Sequence, residues 1–145
     1  MICKNGLTLL EILIIIIILG ILAAVIIPQF TEANTEARAS ALISDLRKVR
    51  AQVELYKFQH NGQFPAATGE TSADFERRIT TSTNADGNAG SDNGPYLKCI
   101  PVNCFNGLST VRIDGAPAGA NADGWRFDTA TGTFQADDSI EHAAF

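Results

Sequence analysis

The chain has little basic charge and few of the residues that enzyme active sites require. Its 145 residues include 11 Lys and Arg against 16 Asp and Glu, for a formal net charge of -5. Because the basic residues form no cluster, the sequence does not support nucleic-acid binding through a broad basic face. A Gly-rich phosphate loop and an H-E-x-x-H motif are absent, and His60 and His142 have no evident orienting partner. The sequence therefore predicts neither an enzyme nor a nucleic-acid-binding protein.

Cysteine is also scarce, with three residues in the chain. Four residues separate Cys99 from Cys104, which is not the spacing of a C-x-x-C redox motif, and two ligands are too few for structural zinc. Two interpretations stay open in a compartment that permits disulfides: a short local disulfide, which we favour, or two buried free thiols. A disulfide across so short a loop would stabilise the fold by about 2–3 kcal/mol.

One long apolar run dominates the N-terminal part of the chain. Residues 7–27 read LTLLEILIIIIILGILAAVII, and Glu11 is the only ionisable side chain among them. A helix of this length, at ~1.5 Å rise per residue, is long enough to cross a bilayer. A carboxylate at the centre of such a helix costs roughly 2.5–3.5 kcal/mol, and somewhat less near an end. Glu11 therefore either extends to the lipid headgroups of a plain anchor or has a function of its own.

The residues in front of the run distinguish these alternatives. Gly6 precedes the apolar run, whereas a secretory signal carries its small-residue cleavage site after that run. The string G-L-T-L-L-E at 6–11 resembles the class III signal of type IV pilins and type II secretion pseudopilins. Gly20 and the Pro28 that closes the run lie where that family has them. The chain departs from the family at Leu7, which replaces the usual Phe.

The resemblance implies a route of processing and assembly. A prepilin peptidase would remove the leader, residues 1–6, by cutting between Gly6 and Leu7, and the new amine of Leu7 would be N-methylated. The carboxylate of Glu11, four residues further on, lies near the same helix face as that amine. In a filament, Glu11 of one subunit would pair with the Leu7 ammonium of a neighbouring subunit.

The helical pattern continues beyond the apolar run to about residue 59. Pro28 removes a backbone hydrogen bond, so a bend is expected there, and Gly20 is a second expected position of bending. The pair Asn61-Gly62, followed by Pro65, predicts the end of the helix. Apolar residues at spacings of three and four predict a stripe that forms the core face of this part of the helix. The stripe consists of Ala39, Leu42, Leu46, Val49, Val53 and Tyr56.

A small head is predicted after the long helix. A short helix is expected at 74–78, a loop at 80–94, and strands at 110–113, 124–128 and 132–136. The last two strands read as a hairpin with alternating aromatic residues. The predicted fold class is α+β, in which a long N-terminal helix packs on a small antiparallel sheet of about three strands. This corresponds to the pilin fold that the resemblance implies.

The predicted domain organisation has four parts. Residues 1–6 are the leader, and residues 7–27 are a transmembrane helix. Residues 28–60 are the periplasmic half of the long helix, and they pack with the loop-and-sheet head, 61–145, as one globular domain. A lysine before the apolar run and acidic residues soon after it favour a single pass through the inner membrane, with a cytoplasmic N-terminus and a periplasmic C-terminal domain.

Two polar loops contain side-chain oxygens that calcium could use. The loop at 84–93 lacks the terminal Glu of an EF-hand. Major pseudopilins bind calcium in an acidic loop near their C-terminus, and residues 121–124 resemble that loop. The favoured interpretation is nevertheless a solvated loop without a cofactor, and Asp137 and Asp138 are likewise expected to be solvated. The calcium candidates are Asp86, Asn88, Asp92 and Asp123.

The favoured function is a structural subunit of a type IV pilus-like filament, most specifically the major pseudopilin of a type II protein secretion system. The stretches at 61–65, 96–101 and 125–132 resemble pseudopilin sequences. The alternatives are an adhesive or motility type IV pilin, and a single-span membrane-anchored binding domain without a filament. The implied partners are identical subunits, a prepilin peptidase, an inner-membrane assembly platform with its ATPase, minor pseudopilins and lipid. The assembled filament would lie in the periplasm or at the cell surface.

Overall fold

The computed structural model describes residues 8–145, with the backbone alone at positions 25 and 27–32. The chain divides into two compact units, Met1–Ala37 and Arg38–Phe145. The predicted leader and Leu7 lie outside the described residues, and the predicted domain boundaries stay predictions. In chain order the described elements are α1 Leu9–Gln59, α2 Ser72–Thr80, β1 Val111–Ile113, β2 Trp125–Phe127, β3 Phe134–Ala136 and α3 Ile140–Ala143.

Helix α1 is the long helix that the sequence predicts. It runs for 51 residues without interruption, so Gly20 and position 28 both lie inside it. The predicted bends at these positions are not tested and stay predictions. Within the described residues, no helix has both the length and the apolar character needed to cross a membrane.

The end of α1 has the geometry that its sequence predicts. Asn61 and Gly62 adopt left-handed backbone conformations, with φ of 56° and 83°. The amide of Gly62 donates to the carbonyl of Lys57 at 2.9 Å, which satisfies one of the last carbonyl groups of the helix. Glycine adopts this conformation at little steric cost, and asparagine does so more readily than most residues. The prediction that Asn61-Gly62 terminates the helix is confirmed.

The apolar stripe of α1 forms one side of the core of the second unit. Its residues from position 42 onward are at most 1% exposed, and Ala39 at its start is half-buried. They belong to the same buried cluster as the aromatic side chains of β2 and β3, so helix and sheet cover each other. The predicted core face is therefore confirmed. The buried stripe residues are Leu42, Leu46, Val49, Val53 and Tyr56.

Helix α2 is longer than the predicted 74–78 because a capping box begins it earlier. The side chain of Thr71 accepts from the amide of Asp74, and the side chain of Asp74 accepts from the amide of Thr71. This reciprocal pair satisfies two amides that would otherwise have no partner within the helix. Phe75 and Ile79 on one face of α2 are fully buried.

The sheet is mixed, so the predicted antiparallel sheet is wrong in one of its two pairings. The strand order is β1-β2-β3. Strands β2 and β3 pair antiparallel, with Phe127 opposite Phe134, and the predicted hairpin is present. Strands β1 and β2 pair parallel, with Val111 opposite Trp125.

The connection between β1 and β2 is the physical reason for this difference. An antiparallel pair can be joined by a tight turn, whereas a parallel pair needs a long connection that brings the chain back to the same end. Residues 114–124 form such a connection, which we call the crossover. Three-residue strands carry too short a pattern to reveal their direction, so the path of the crossover decides the pairing.

Replacing Leu46 with alanine tests the packing of α1 on the sheet. We expect Leu46→Ala to lower the free energy of unfolding of the second unit by about 2–5 kcal/mol, because it leaves a cavity in the core. The emission of Trp125, the single tryptophan, reports unfolding in a denaturant titration of the full chain in mild detergent. Leu55→Ala is the matched control, because Leu55 lies on the same helix and is 41% exposed. Equal losses in the two variants would contradict the packing.

Candidate functional site

Glu11, the predicted assembly residue, closes a hydrogen-bonded cap at the start of α1. The amide of Thr8 donates to Oε2 of Glu11 at 3.4 Å, and the amide of Glu11 donates to Oγ1 of Thr8 at 3.2 Å. This reciprocal pair is a capping box, for which T-x-x-E is the sequence signature. This signature lies at 8–11, within the residues of the class III signal motif. Glu11 therefore has a local structural role beside any role in assembly.

The described apolar side chains of the first unit are exposed on every side of the helix. Five consecutive isoleucines, Ile14 to Ile18, are 43–56% exposed. Because an α-helix has 3.6 residues per turn, five consecutive side chains point in all directions around it. A helix that is apolar on every side is stable when protein or lipid covers it.

Of the remaining predicted site residues of the first unit, only Gly20 is fully described. Gly6 and Leu7, the predicted cleavage residues, lie outside the described part of the chain. A Cβ atom added to Gly20 would meet no atom within 4 Å, so no packing within the described chain requires a glycine there. The side chain of Pro28 also lies outside the described residues.

Cys99 and Cys104 are both free thiols in this structure. Cys99 is exposed, whereas Cys104 is half-buried and its Sγ donates to the carbonyl of Arg38 at 3.3 Å. Burial raises the pKa of the Cys104 thiol. A disulfide between these two residues stays a prediction, and the exposed Cys99 does not match the alternative of two buried thiols.

The loop with three of the calcium candidates is ordered by its own polar groups. Oδ1 of Asn84 accepts from the amides of Asp86 and Asn88 at 3.1 and 3.0 Å. Thr83 forms isolated bridges with Ala89 and Asn93 across the base of the loop. Among the described residues, no group of three or more His, Cys, Asp or Glu side chains is arranged to hold a metal ion. Calcium binding by Asp86, Asn88 and Asp92 stays a prediction.

The fourth calcium candidate, Asp123, belongs to an ion-pair network that the sequence does not reveal. Its Oδ2 lies 3.9 Å from Nε of Arg112, and its amide donates to Oδ2 of Asp137 at 3.2 Å. Asp137 is fully buried, and Nη2 of Arg112 donates to its Oδ1 at 2.6 Å. The expectation that Asp137 is solvated is therefore wrong, because the crossover folds over its carboxylate. Asp138 is also almost fully buried, and its Oδ1 accepts from Nδ2 of Asn103 at 2.8 Å.

Both histidines have partners, although the sequence indicates none. His60 is fully buried and stacks on Tyr56, with ring centroids 3.7 Å apart. Its two ring nitrogens lie 2.8 Å from the carbonyl of Tyr56 and 2.8 Å from Oγ1 of Thr83. Nδ1 of His142 pairs with Oδ2 of Asp138, four residues earlier on the chain. Thr83 is 23 residues from His60, so no local spacing reveals that contact, whereas Tyr56 and Asp138 each lie four residues before their histidine. The prediction that the chain is not an enzyme stays a prediction.

An open cavity of about 520 Å³ lies between the end of α1, the following loop and α2. Asp86, Glu70 and Arg78 are the charged residues that line it. Glu70 and Arg78 pair with each other through both carboxylate oxygens, and Nη2 of Arg78 donates to Oε1 of Glu70 at 2.7 Å. The hydrogen bond from Arg78 is the largest effect on Glu70, and it holds the pKa of that carboxyl below its ordinary value. Nη1 of Arg78 also donates to the carbonyl of Pro65 at 3.2 Å, so the pair ties this loop to α2.

The chain is similar to bacterial proteins named type II secretion system core protein G. The Pseudomonas aeruginosa protein is 29% identical over 99 residues, which cover 68% of this chain and 66% of that protein. The Aeromonas hydrophila protein is 28% identical over 98 residues, which cover 68% and 65%. The Dickeya chrysanthemi protein is 34% identical over 62 residues, which cover 43% and 40%. No protein-family model and no solved structure matches the chain.

These relatives confirm the resemblance to type II secretion pseudopilins that the sequence motifs indicate. The matches span just under two thirds of the length of the Pseudomonas aeruginosa and Aeromonas hydrophila proteins. The fold class is confirmed as α+β, with a mixed three-stranded sheet instead of an antiparallel one.

Glu70→Gln tests the ion pair through its pH dependence. Because the pKa of Glu70 lies below its unfolded value of about 4.3, its contribution to stability is complete above that pH. The contribution is then lost as the pH falls through the lower folded pKa. We expect Glu70→Gln to cost about 1–2 kcal/mol at neutral pH.

The difference between the parent and Glu70→Gln should shrink as the pH falls below the ordinary range of a glutamate carboxyl. The measurement is a denaturation series followed by Trp125 emission. Glu76→Gln, on the exposed face of the same helix, is the control, and we expect it to differ little from the parent across the series. A difference between the parent and Glu70→Gln that stays constant to the lowest pH would contradict this assignment.

Proposed function

We propose that this chain, a relative of the type II secretion system core proteins G, is the major pseudopilin of such a system. In this proposal it is a structural subunit that polymerises with identical copies into a pilus-like filament in the periplasm. The observation that carries the proposal is the similarity to core proteins G over 68% of the chain. The class III signal motif at 6–11 supports it independently.

The exposed apolar surface of the first unit supports assembly. Side chains that are apolar on every side of a helix are costly to leave in water, at roughly 25 cal/mol per Å². Lipid would cover this surface before assembly, and the helices of neighbouring subunits would cover it in the filament. We therefore propose that residues 7–27 cross the inner membrane, with the N-terminus in the cytoplasm and the head in the periplasm.

The second unit has a core of its own, which supports a head that folds before the subunit assembles. Its core joins the later part of α1 to α2 and the sheet, and the core aromatics are fully buried. A head with its own core leaves the first unit free to change its surroundings from lipid to protein. The proposed partners are a prepilin peptidase, the assembly platform with its ATPase, and minor pseudopilins.

The capping box of α1 is compatible with a role for Glu11 in assembly. Removal of residues 1–6 would expose the amine of Leu7, and Glu11 would pair with that amine on a neighbouring subunit. A carboxylate has about four acceptor positions, and the bond from the Thr8 amide uses one of them. The same side chain can therefore cap its own helix and accept a hydrogen bond from a neighbour. In an apolar environment, leaving one member of such an ion pair alone costs ~3–5 kcal/mol.

The proposed function is tested by processing, assembly and export together. Intact-mass analysis of the protein from its own cells should show a chain that starts at Leu7, and Gly6→Leu should leave the precursor uncut. Material sheared from the cells should contain filaments of the processed chain, and deletion of the gene for this chain should stop export of the secreted proteins.

Filaments on the cell surface with normal export would favour an adhesive or motility pilin. A processed or unprocessed chain that never assembles would favour the membrane-anchored binding domain.

Variants of the capping box separate the charge of Glu11 from its role as a cap. Glu11→Gln removes the charge but keeps a residue that fits the capping box, whereas Thr8→Ala removes the cap at a cost of about 0.5–2 kcal/mol and keeps the charge. We expect Glu11→Gln to lower the yield of sheared filaments at least about tenfold, since it removes the ion pair. We expect Thr8→Ala to assemble at close to the parent yield. The reverse order of yields would show that Glu11 acts mainly as a cap.

A further inference from the structure

The guanidinium of Arg112 lies in a cage of oxygen atoms. Nη1 donates to two backbone carbonyls of the crossover at 3.1 and 2.6 Å, and Nη2 donates to a third at 3.3 Å. Nη2 also donates at 2.6 Å to the buried carboxylate that follows β3, and Nε lies 3.9 Å from a second carboxylate. The carbonyls belong to Asp114, Ala116 and Pro117, and the carboxylates belong to Asp137 and Asp123.

This set of oxygens resembles the surroundings of a hard metal cation. Backbone carbonyls and carboxylates are the ligands that calcium takes in proteins. Here a guanidinium, with five N–H donors in a planar group that keeps its charge, takes the place of the ion. The side chain of Arg112 is 18% exposed, so little solvent screens the interaction with Asp137.

The carboxylate of Asp137 accepts four hydrogen bonds from the protein. Besides Arg112, its Oδ1 accepts from the amides of Gly119 and Ala120 at 3.0 and 3.3 Å. Its Oδ2 accepts from the amide of Asp123 at 3.2 Å. Burial alone would raise the pKa of Asp137, but the hydrogen bonds from Arg112 and these amides hold it below its ordinary value.

A calcium ion does not fit this arrangement. The ion would need its oxygen ligands at about 2.3–2.6 Å, in the space that the guanidinium occupies. It would also place two positive charges beside the positive charge of Arg112, which the low local dielectric makes costly. The oxygens of the crossover and of Asp137 are therefore already committed to Arg112 and the backbone amides.

We propose that Arg112 supplies the crossover with a built-in cation, so that this head folds and stays stable without calcium. This differs from the calcium-binding loop that the resemblance to major pseudopilins implies. Because β1 carries Arg112 and the crossover returns the chain to β2, the same contact holds the parallel pairing of the two strands. The proposal concerns the folding of the head and does not depend on the proposed function.

Calcium is the direct probe. The full chain in mild detergent is melted in millimolar calcium chloride and in excess EGTA, and the emission of Trp125 reports the midpoint. We expect the two midpoints of the parent to agree within about 1 °C, because no ion binds the folded state preferentially.

Arg112→Ala removes the built-in cation and leaves the same oxygens behind. We expect its midpoint in EGTA to fall by about 5–10 °C. We expect calcium to raise that midpoint by several degrees, since two carboxylates and three carbonyls then lack a cation. Hydrogen exchange should show lost protection at the amides of Gly119, Ala120 and Asp123, which point at Asp137.

Arg126→Ala is the matched control. Arg126 lies opposite Arg112 in the parallel register, its side chain is 11% exposed, and it pairs with Asp128 at 3.0 Å. We expect this variant to lose stability without a response to calcium and without lost protection at the three crossover amides.

Three results would overturn the proposal. One is a rise of several degrees in the midpoint of the parent on addition of calcium. The others are unchanged amide protection in Arg112→Ala and the absence of any calcium response in that variant. If Arg112→Ala fails to fold, the comparison of the parent in calcium and in EGTA still decides the question.

Discussion

The buried ion pair between Arg112 and Asp137 is the contact on which the architecture of the head depends. Asp137 follows β3 directly, and Arg112 is the central residue of β1, so the pair joins the two outer strands of the sheet. The amides that also donate to Asp137 come from the crossover. Without these donors the carboxylate would be a buried charge without a partner, which no small core can tolerate. The crossover that connects the parallel strands β1 and β2 is therefore tied to this one charge at Arg112, Gly119 and Asp123.

Helix α1 has two kinds of surface, and they correspond to two tasks. In the first unit its apolar side chains surround the helix completely and are exposed, as in Ile14 to Ile18. In the second unit the buried apolar residues of α1 form one stripe that shares a core with the sheet and α2, whereas Leu55 and Phe58 lie off the stripe and are exposed. A stripe builds a core, whereas a uniformly apolar surface needs lipid or other subunits around it. This division supports the proposed pseudopilin role, in which the head folds alone and the first unit assembles.

Several residues whose chemistry drew attention in the sequence prove to have structural roles. His60 stacks on Tyr56 and bonds to Thr83, and Cys104 bonds to the backbone of Arg38. Glu11 closes a capping box with Thr8. The capping box was readable from the T-x-x-E spacing, because its partners are three residues apart. Thr83 is 23 residues from His60 and Arg38 is 66 residues from Cys104, and no local pattern encodes such distances.

The sequence alone determined the parts of this protein that depend on neighbouring residues. Helix α1 with its core stripe, its end at Asn61-Gly62 and the β2–β3 hairpin are all set by spacing and turn chemistry. Only the tertiary structure decided that β1 runs parallel to β2 and that Asp137 is buried. A short strand has the same alternation in either direction, and a carboxylate reads as solvated until its distant donors are known. Local sequence patterns therefore determine the helix and the hairpin, whereas the strand pairing and the burial of Asp137 depend on contacts between residues far apart in the chain.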